Sequence, residues 1–147
     1  APARALRLCR QLASALRDCA LHVFPECAEG VQALDIAPNA SPEESLVLAK
    51  AAMAQLNTTE VLLLSDVFGA TPSNVAQKLN DGIDTRMLAG VNLPMLLRSV
   101  CYRHETLDAL AARAQAGGSQ GIMPIGCTAP QNQTGPRNAS SHHDHQQ

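Results

Sequence analysis

Short apolar runs separated by polar breaks predict the strands of this chain. Residues 61–64 (VLLL) are continuously apolar, which is typical of a strand buried on both faces of a parallel sheet. Shorter runs at residues 31–36, 86–90 and 121–125 predict three further strands. We expect 61–64 in the middle of the sheet and 121–125 at its edge.

Helical periodicity and capping residues predict the helices between these strands. Residues 5–24 carry apolar side chains every three to four positions, which predicts one amphipathic helix. Capping or terminating residues mark the other four helices: Ser41-Pro42-Glu43-Glu44 before a helix to Leu56, Pro72 before one to Leu79, Asn92 before one from Leu93 to Tyr102, and Gly117-Gly118 after one from Glu105 to Ala116. The alternation predicts an α/β fold, a three-layer sandwich with a mainly parallel sheet.

Composition excludes several function classes. The 147 residues have a net charge of −2 and only 2% aromatics, with no basic stretch, so we expect no nucleic-acid partner. No apolar run is long enough to span a bilayer, so we expect no membrane insertion. Five cysteines without a CxxC pair are typical of a reduced cytoplasmic protein, with neither disulfides nor a metal site.

The chain divides into one domain and a tail. Residues 1–126 form the predicted domain, and residues 127–147, rich in Gln, Asn, Ser and His, form a predicted disordered polar tail. No GxGxxG or GxxxxGK[ST] motif is present. We therefore rank a nucleotide- or flavin-binding domain lowest and expect no cofactor.

The segment 61–74 (VLLLSDVFGATPSN) carries the chemistry. A buried strand ends at an acid, Asp66; Gly69 lets the backbone bend, Thr71 can cap the next helix and Pro72 can start it. A helix N-terminus at the carboxyl end of a strand attracts anions. We predict a phosphate-sized anion above residues 69–74, with Asp66 able to orient an imidazole. The alternative is an ordinary strand–loop–helix connection.

Two motifs resemble one protein family. SDVFGATPSN at 65–74 and AGVNLPMLL at 89–97, followed by Tyr102, resemble the mannose-type enzyme IIA domains of sugar phosphotransferase systems. The resemblance implies a homodimer whose C-terminal antiparallel edge strand is exchanged between subunits. It also implies that a histidine at the end of the first strand takes phosphate from the phosphocarrier HPr and passes it to an enzyme IIB acceptor.

Site roles follow from the same resemblance. Asp66 would hold the histidine, and five residues would surround the phosphate: Phe68, Gly69, Ala70, Thr71 and Ser73. Asn92, Leu93 and Pro94 would belong to the neighbouring loop and packing surface.

The N-terminal segment departs from the family pattern. The acceptor histidine should fall at about Cys9, and the preceding strand on residues 1–8, where Arg4 and Arg7 are unexpected in a central strand. Residues 1–11 are therefore atypical. Three explanations are open: a faulty gene start, a degenerate paralogue that binds partners without carrying phosphate, or a Cys9 thiolate that accepts phosphate. We expect phosphotransfer to be impaired. The alternative function is a non-catalytic regulatory or interaction module.

Overall fold

A four-stranded, fully parallel sheet forms the centre of the domain. The computed structural model describes the backbone of residues 4–9 and all atoms of residues 12–126. The strands are β1 (Arg4–Cys9), β2 (Val31–Asp35), β3 (Val61–Ser65) and β4 (Thr85–Ala89), in the order β2-β1-β3-β4. All three neighbouring pairs are parallel, and β3 is one of the two central strands, as its apolar run predicts.

Five helices cover the two faces of this sheet. They are α1 (Ala13–Val23), α2 (Pro42–Ala54), α3 (Thr71–Leu79), α4 (Leu93–Cys101) and α5 (Leu107–Gln120), with a 3₁₀ segment at Pro25–Gly30. None of the described helices is long and apolar enough to cross a membrane. Two features of the sequence are confirmed at helix starts: the capping box of Ser41 and Glu44, and the cap of α4 by Asn92.

Alternate side chains of β3 enter two separate cores. Leu62 and Leu64 pack with α1, α4 and α5, whereas Val61 and Leu63 pack with α2 and α3. All four side chains are fully buried. The three-layer α/β sandwich is therefore confirmed, and β3 is the element that both layers share.

The predicted helix over residues 5–24 is wrong in its first third. Residues 4–9 form the central strand β1, and the helix begins only at Ala13. Strand β1 pairs on both sides, for example through Ala5 with Val31 of β2 and with Leu62 of β3. Two parallel neighbours satisfy the backbone groups of β1, so tertiary pairing overrides the local helical pattern.

The C-terminal predictions also need correction. Helix α5 continues through Gly117 and Gly118 to Gln120. Both glycines are buried against α4, and a Cβ at Gly117 would lie 2.7 Å from the Cβ of Arg98, so close packing explains them better than helix termination.

The predicted antiparallel edge strand at 121–125 is not formed in the described chain. Residues 122–126 have no strand partner, and Ile122 and Ile125 are 78% and 86% exposed. A strand needs a neighbouring edge with which to exchange hydrogen bonds, and this segment contacts none here. The predicted tail, 127–147, lies outside the described residues.

Candidate functional site

The backbone of Asp66 is tied to the loop that follows β4. Strand β3 ends at Ser65, and the carbonyl oxygens of Ser65 and Asp66 accept hydrogen bonds from the N–H groups of Val91 (2.9 Å) and Gly90 (2.7 Å). The Asp66 Oδ1 atom accepts from the Val67 N–H at 2.7 Å. These bonds hold Asp66 at the carboxyl end of the sheet, where open α/β sheets bind ligands.

Helix α3 begins beside this aspartate. The N-cap is Ala70, in an extended conformation, and Gly69 has a φ of +85°, which only glycine adopts without strain. The expected cap by Thr71 is wrong, because Thr71 is already the first helical residue and no side chain caps the helix. The first N–H groups of a helix lack intrahelical acceptors, so this uncapped start can bind an anion.

Two serine hydroxyls near this helix start are buried without a hydrogen-bond partner in the described structure. They belong to Ser65, at the end of β3, and Ser73, in the first turn of α3, and both residues are fully buried. A buried hydroxyl without a partner costs free energy, so such groups call for a ligand, a water or another donor.

The tip of the connection is apolar and faces solvent. Val67 and Phe68 are 62% and 74% exposed. The structure therefore places Phe68 on the outside of the loop, and it forms an apolar rim next to the start of α3.

Strand β1 brings Cys9 to the same end of the sheet. Leu8 and Ser65 are the last pair of the β1–β3 ladder, so Cys9 and Asp66 are the next residues along the two segments. On its other side, Cys9 is in register with Asp35, the last residue of β2. Cys9 is thus flanked by the ends of two strands that both carry an aspartate.

Asp35 is a site residue that the sequence reasoning missed. Its Oδ1 atom accepts from the Ser14 N–H in the first turn of α1 at 3.2 Å. The available signal was the same as for Asp66, because an acid directly follows the apolar part of a predicted strand. The prediction of a strand over 31–36 takes no account of its last polar residue.

The histidines of the described residues lie away from this point. His22 is in the last turn of α1, roughly 15 Å along the helix from its start at the carboxyl end of the sheet. His104 is exposed in the turn after α4. Among the side chains of residues 12–126, no group of three or more His, Cys, Asp or Glu could hold a metal ion.

A family model establishes what this domain is. The model described as the PTS system fructose IIA component, EIIA-man, matches residues 10–115, which is most of the chain. The chain belongs to the EIIA-man family. The match covers Asp66 and the whole β3–α3 connection and begins one residue after Cys9. A search of curated protein sequences found no match.

Solved structures of EIIA-man proteins share the fold. The mannose/sorbose-specific IIA subunit from Enterococcus faecalis superposes with a TM-score of 0.79 at 19% identity, covering 88% of this chain and 98% of that one. The phosphotransferase component EIIA from Streptococcus agalactiae gives 0.73 at 23% identity, covering 83% and 96%. The PTS IIA protein associated with the fucose utilization operon of Streptococcus pneumoniae gives 0.70 at 22% identity, covering 84% and 93%.

Proposed function

We propose that this EIIA-man domain interacts with an HPr-like phosphocarrier and an enzyme IIB-like acceptor in the cytoplasm, but that its phosphotransfer is impaired. The observation that supports the proposal is the register of β1, whose last pair with β3, Leu8 and Ser65, is followed in the two segments by Cys9 and Asp66. By the family resemblance, a thiol would then stand at the acceptor position in place of an imidazole.

The anion would bind at the start of α3. The uncapped N-terminus supplies backbone N–H groups, Gly69 permits close approach, and the unpartnered Ser73 hydroxyl is a hydrogen-bond donor in the first turn. Ala70 and Thr71 would contribute their backbone to the same cradle.

The exchange of histidine for cysteine explains why transfer would be impaired. An imidazole can donate one ring N–H to the Asp66 carboxylate, which orients the ring and stabilises its positive charge when it is phosphorylated. A thiolate has no N–H to donate, and the nearby carboxylate repels it. Displacement of the reacting atom by about 1 Å can by itself cost on the order of 100-fold in rate.

Two exposed apolar surfaces support the proposed partners. Val67 and Phe68 stand beside the candidate site, where a phosphocarrier has to approach. Ile122, Met123 and Ile125 are exposed on the segment after α5. In a homodimer this segment would pair with the partner subunit, which would bury these side chains.

The experiment uses phosphoenolpyruvate labelled in its phosphoryl group, with enzyme I and HPr. The unmodified chain should stay unlabelled, and Cys9→His should take up label as the P–N bond of phospho-HPr breaks and a P–N bond to the new imidazole forms. Asp66→Asn in the Cys9→His background should slow labelling, and His22→Gln in the same background should leave it unchanged.

Three results would change the proposal. Stable label on the unmodified chain that is lost in Cys9→Ser would show a phosphocysteine. Label on His22 or His104 would show that a different residue accepts phosphate. A Cys9→His variant that folds and binds HPr but stays unlabelled would contradict the placement of Cys9 beside Asp66.

A second candidate function is a non-catalytic interaction module. The observation that favours it is that the β3–α3 connection and its exposed rim are intact although no histidine of the described residues lies at the site. In this case the amide chemical shifts of ¹⁵N-labelled HPr should change when the unmodified chain is added, without any phosphate transfer. Phe68→Ser should abolish those shifts, and Ile83→Ser, an equally exposed apolar residue outside the site, should not.

A further inference from the structure

The β4–α4 loop, residues 90–92, is bonded on one side to the candidate site. Gly90 and Val91 donate to the carbonyl oxygens of Asp66 and Ser65. Gly90 has a φ of +83°, so this turn depends on glycine at that position. A displacement of this loop would therefore strain or break the two hydrogen bonds that hold the backbone of Ser65 and Asp66.

Asn92 bonds the same loop to the far end of α5. Its Oδ1 atom accepts from the Met95 N–H at 2.9 Å, which caps α4, and its Nδ2 atom donates to the Gly118 carbonyl oxygen at 3.0 Å. An aspartate or serine would make the cap equally well. Only the second bond requires the amide group of asparagine.

The Gly118 carbonyl is available because α5 ends two residues later. The last four carbonyl groups of a helix have no intrahelical donor, and the Asn92 amide supplies one. Glycine lets the two helices approach closely here, because a Cβ on Gly118 would lie 2.8 Å from Met95 Cε and 3.2 Å from Met95 Cβ, and Met95 would have to shift. Close packing of α5 and the Asn92 bond thus depend on each other.

We propose that Asn92 is a positioning residue of the candidate site, through which α5 sets the place of Asp66. The connection runs from the Gly118 carbonyl to the Asn92 side chain, along the 90–92 backbone, and through the Gly90 and Val91 N–H groups to the end of β3. Its effect on phosphotransfer rests on the proposed function, whereas the positioning can be measured without it.

The test compares Asn92→Asp with the unmodified chain. Aspartate keeps the cap of α4 but loses the donor and faces the Gly118 carbonyl with a negative charge. Hydrogen exchange of the Gly90 and Val91 amides, measured by NMR, should accelerate about 5-fold or more, the change expected when one supporting hydrogen bond is lost. The carboxyl ¹³C shift of Asp66 should also move. Amides of β2 should change far less.

A matched control removes the N-cap of α5, the helix whose other end Asn92 contacts. Thr106→Ala deletes the bond from the Ala109 N–H to Thr106 Oγ1 at the start of α5 and leaves Asn92 untouched. It should destabilise α5 without selective exchange at Gly90 and Val91. If Asn92→Asp fails to fold, Asn92→Ser serves instead, because it keeps a cap acceptor without adding charge.

The outcomes separate this proposal from the proposed function. Unchanged exchange at Gly90 and Val91 together with an unmoved Asp66 shift in the Asn92 variants would overturn it, whatever the labelling result. In the Cys9→His background, Asn92→Asp should slow labelling about 5-fold or more; an unaltered rate would also overturn it. If Cys9→His itself stays unlabelled, the proposed function fails, and the exchange and the Asp66 shift alone decide the role of Asn92.

Discussion

The two central strands, β1 and β3, lie side by side but have their strand conformation for different reasons. Residues 61–64 are apolar throughout, and all of 61–65 is buried, so their own sequence favours a central strand. Residues 4–9 contain two arginines and continue a helical pattern, yet they form a strand in register with both β2 and β3.

In β3 the local sequence pattern and the tertiary environment favour the same conformation, whereas in β1 they favour different ones. The backbone of β1 forms hydrogen bonds on both sides because it lies between β2 and β3, whose sequences themselves favour strand conformation. The conformation of β1 is thus expected to depend on its neighbours, whereas β3 supplies the apolar surface on which both cores are built. The candidate acceptor position, Cys9, lies at the end of β1, whereas Asp66 directly follows β3.

Leu6→Pro should have the largest effect and separates the two interpretations of β1. Leu6 is in register with Gln32 and Leu63, so proline there removes a hydrogen bond from the interior of the sheet and should prevent folding at 25 °C. In a helix over residues 5–24, the same proline would lie in the first turn and be tolerated. Circular dichroism and urea unfolding measure the difference. Leu6→Val, which keeps the N–H group, is the control, and a stable Leu6→Pro variant would contradict the strand.

Leu63→Ala should have the next largest effect and tests the role of β3. The Leu63 side chain is fully buried against α2 and α3, so truncation should lower the free energy of unfolding by about 2–5 kcal/mol. Urea unfolding gives the value. Val47→Ala on the exposed face of α2 should change it by less than about 0.5 kcal/mol. Equal effects of the two substitutions would show that β3 is not the shared core.

The smallest effect concerns the turn before β4, where Asp81 accepts several local hydrogen bonds. Asp81 Oδ1 accepts from the Thr85 hydroxyl and from the N–H groups of Ile83, Asp84 and Thr85, and these bonds, the Thr85 hydroxyl first, lower the pKa of Asp81. A depressed pKa contributes stability above the unfolded value of about 3.9, and the contribution is lost as pH falls through the lower folded value. Asp81→Asn should therefore reduce the loss of stability below about pH 4, measured by urea unfolding. An identical pH dependence in both proteins would contradict this.

Sequence reasoning was sufficient where local and tertiary preferences agree. The capping box of α2, the cap of α4 by Asn92 and the strands β2, β3 and β4 all follow from patterns that their surroundings reinforce. Gly117 and Gly118 gave a wrong prediction for the end of α5, because glycine both ends helices and permits close helix packing. Only the contact with α4 shows that close packing is their role.

The candidate site divides in the same way. Asp66 and the start of α3 were predictable because one continuous segment, 61–74, carries strand, acid, turn and helix start. Asp35 and the contact of Asn92 with Gly118 were not predictable, because they depend on strand register and on the packing of distant helices. Thr71 was expected to cap α3 because threonine is a common cap, but the helix starts one residue earlier.

The proposed function requires Cys9 to stand beside Asp66, and an NMR titration of the Cys9→His variant can measure this. A neighbouring carboxylate should raise the pKa of the introduced imidazole above its ordinary value of about 6.5, and Asp66→Asn should lower it by on the order of one unit. Asp35→Asn should also lower it, because Cys9 is in register with Asp35 on its other side. An imidazole pKa near 6.5 that neither substitution moves would show that Cys9 does not stand beside Asp66.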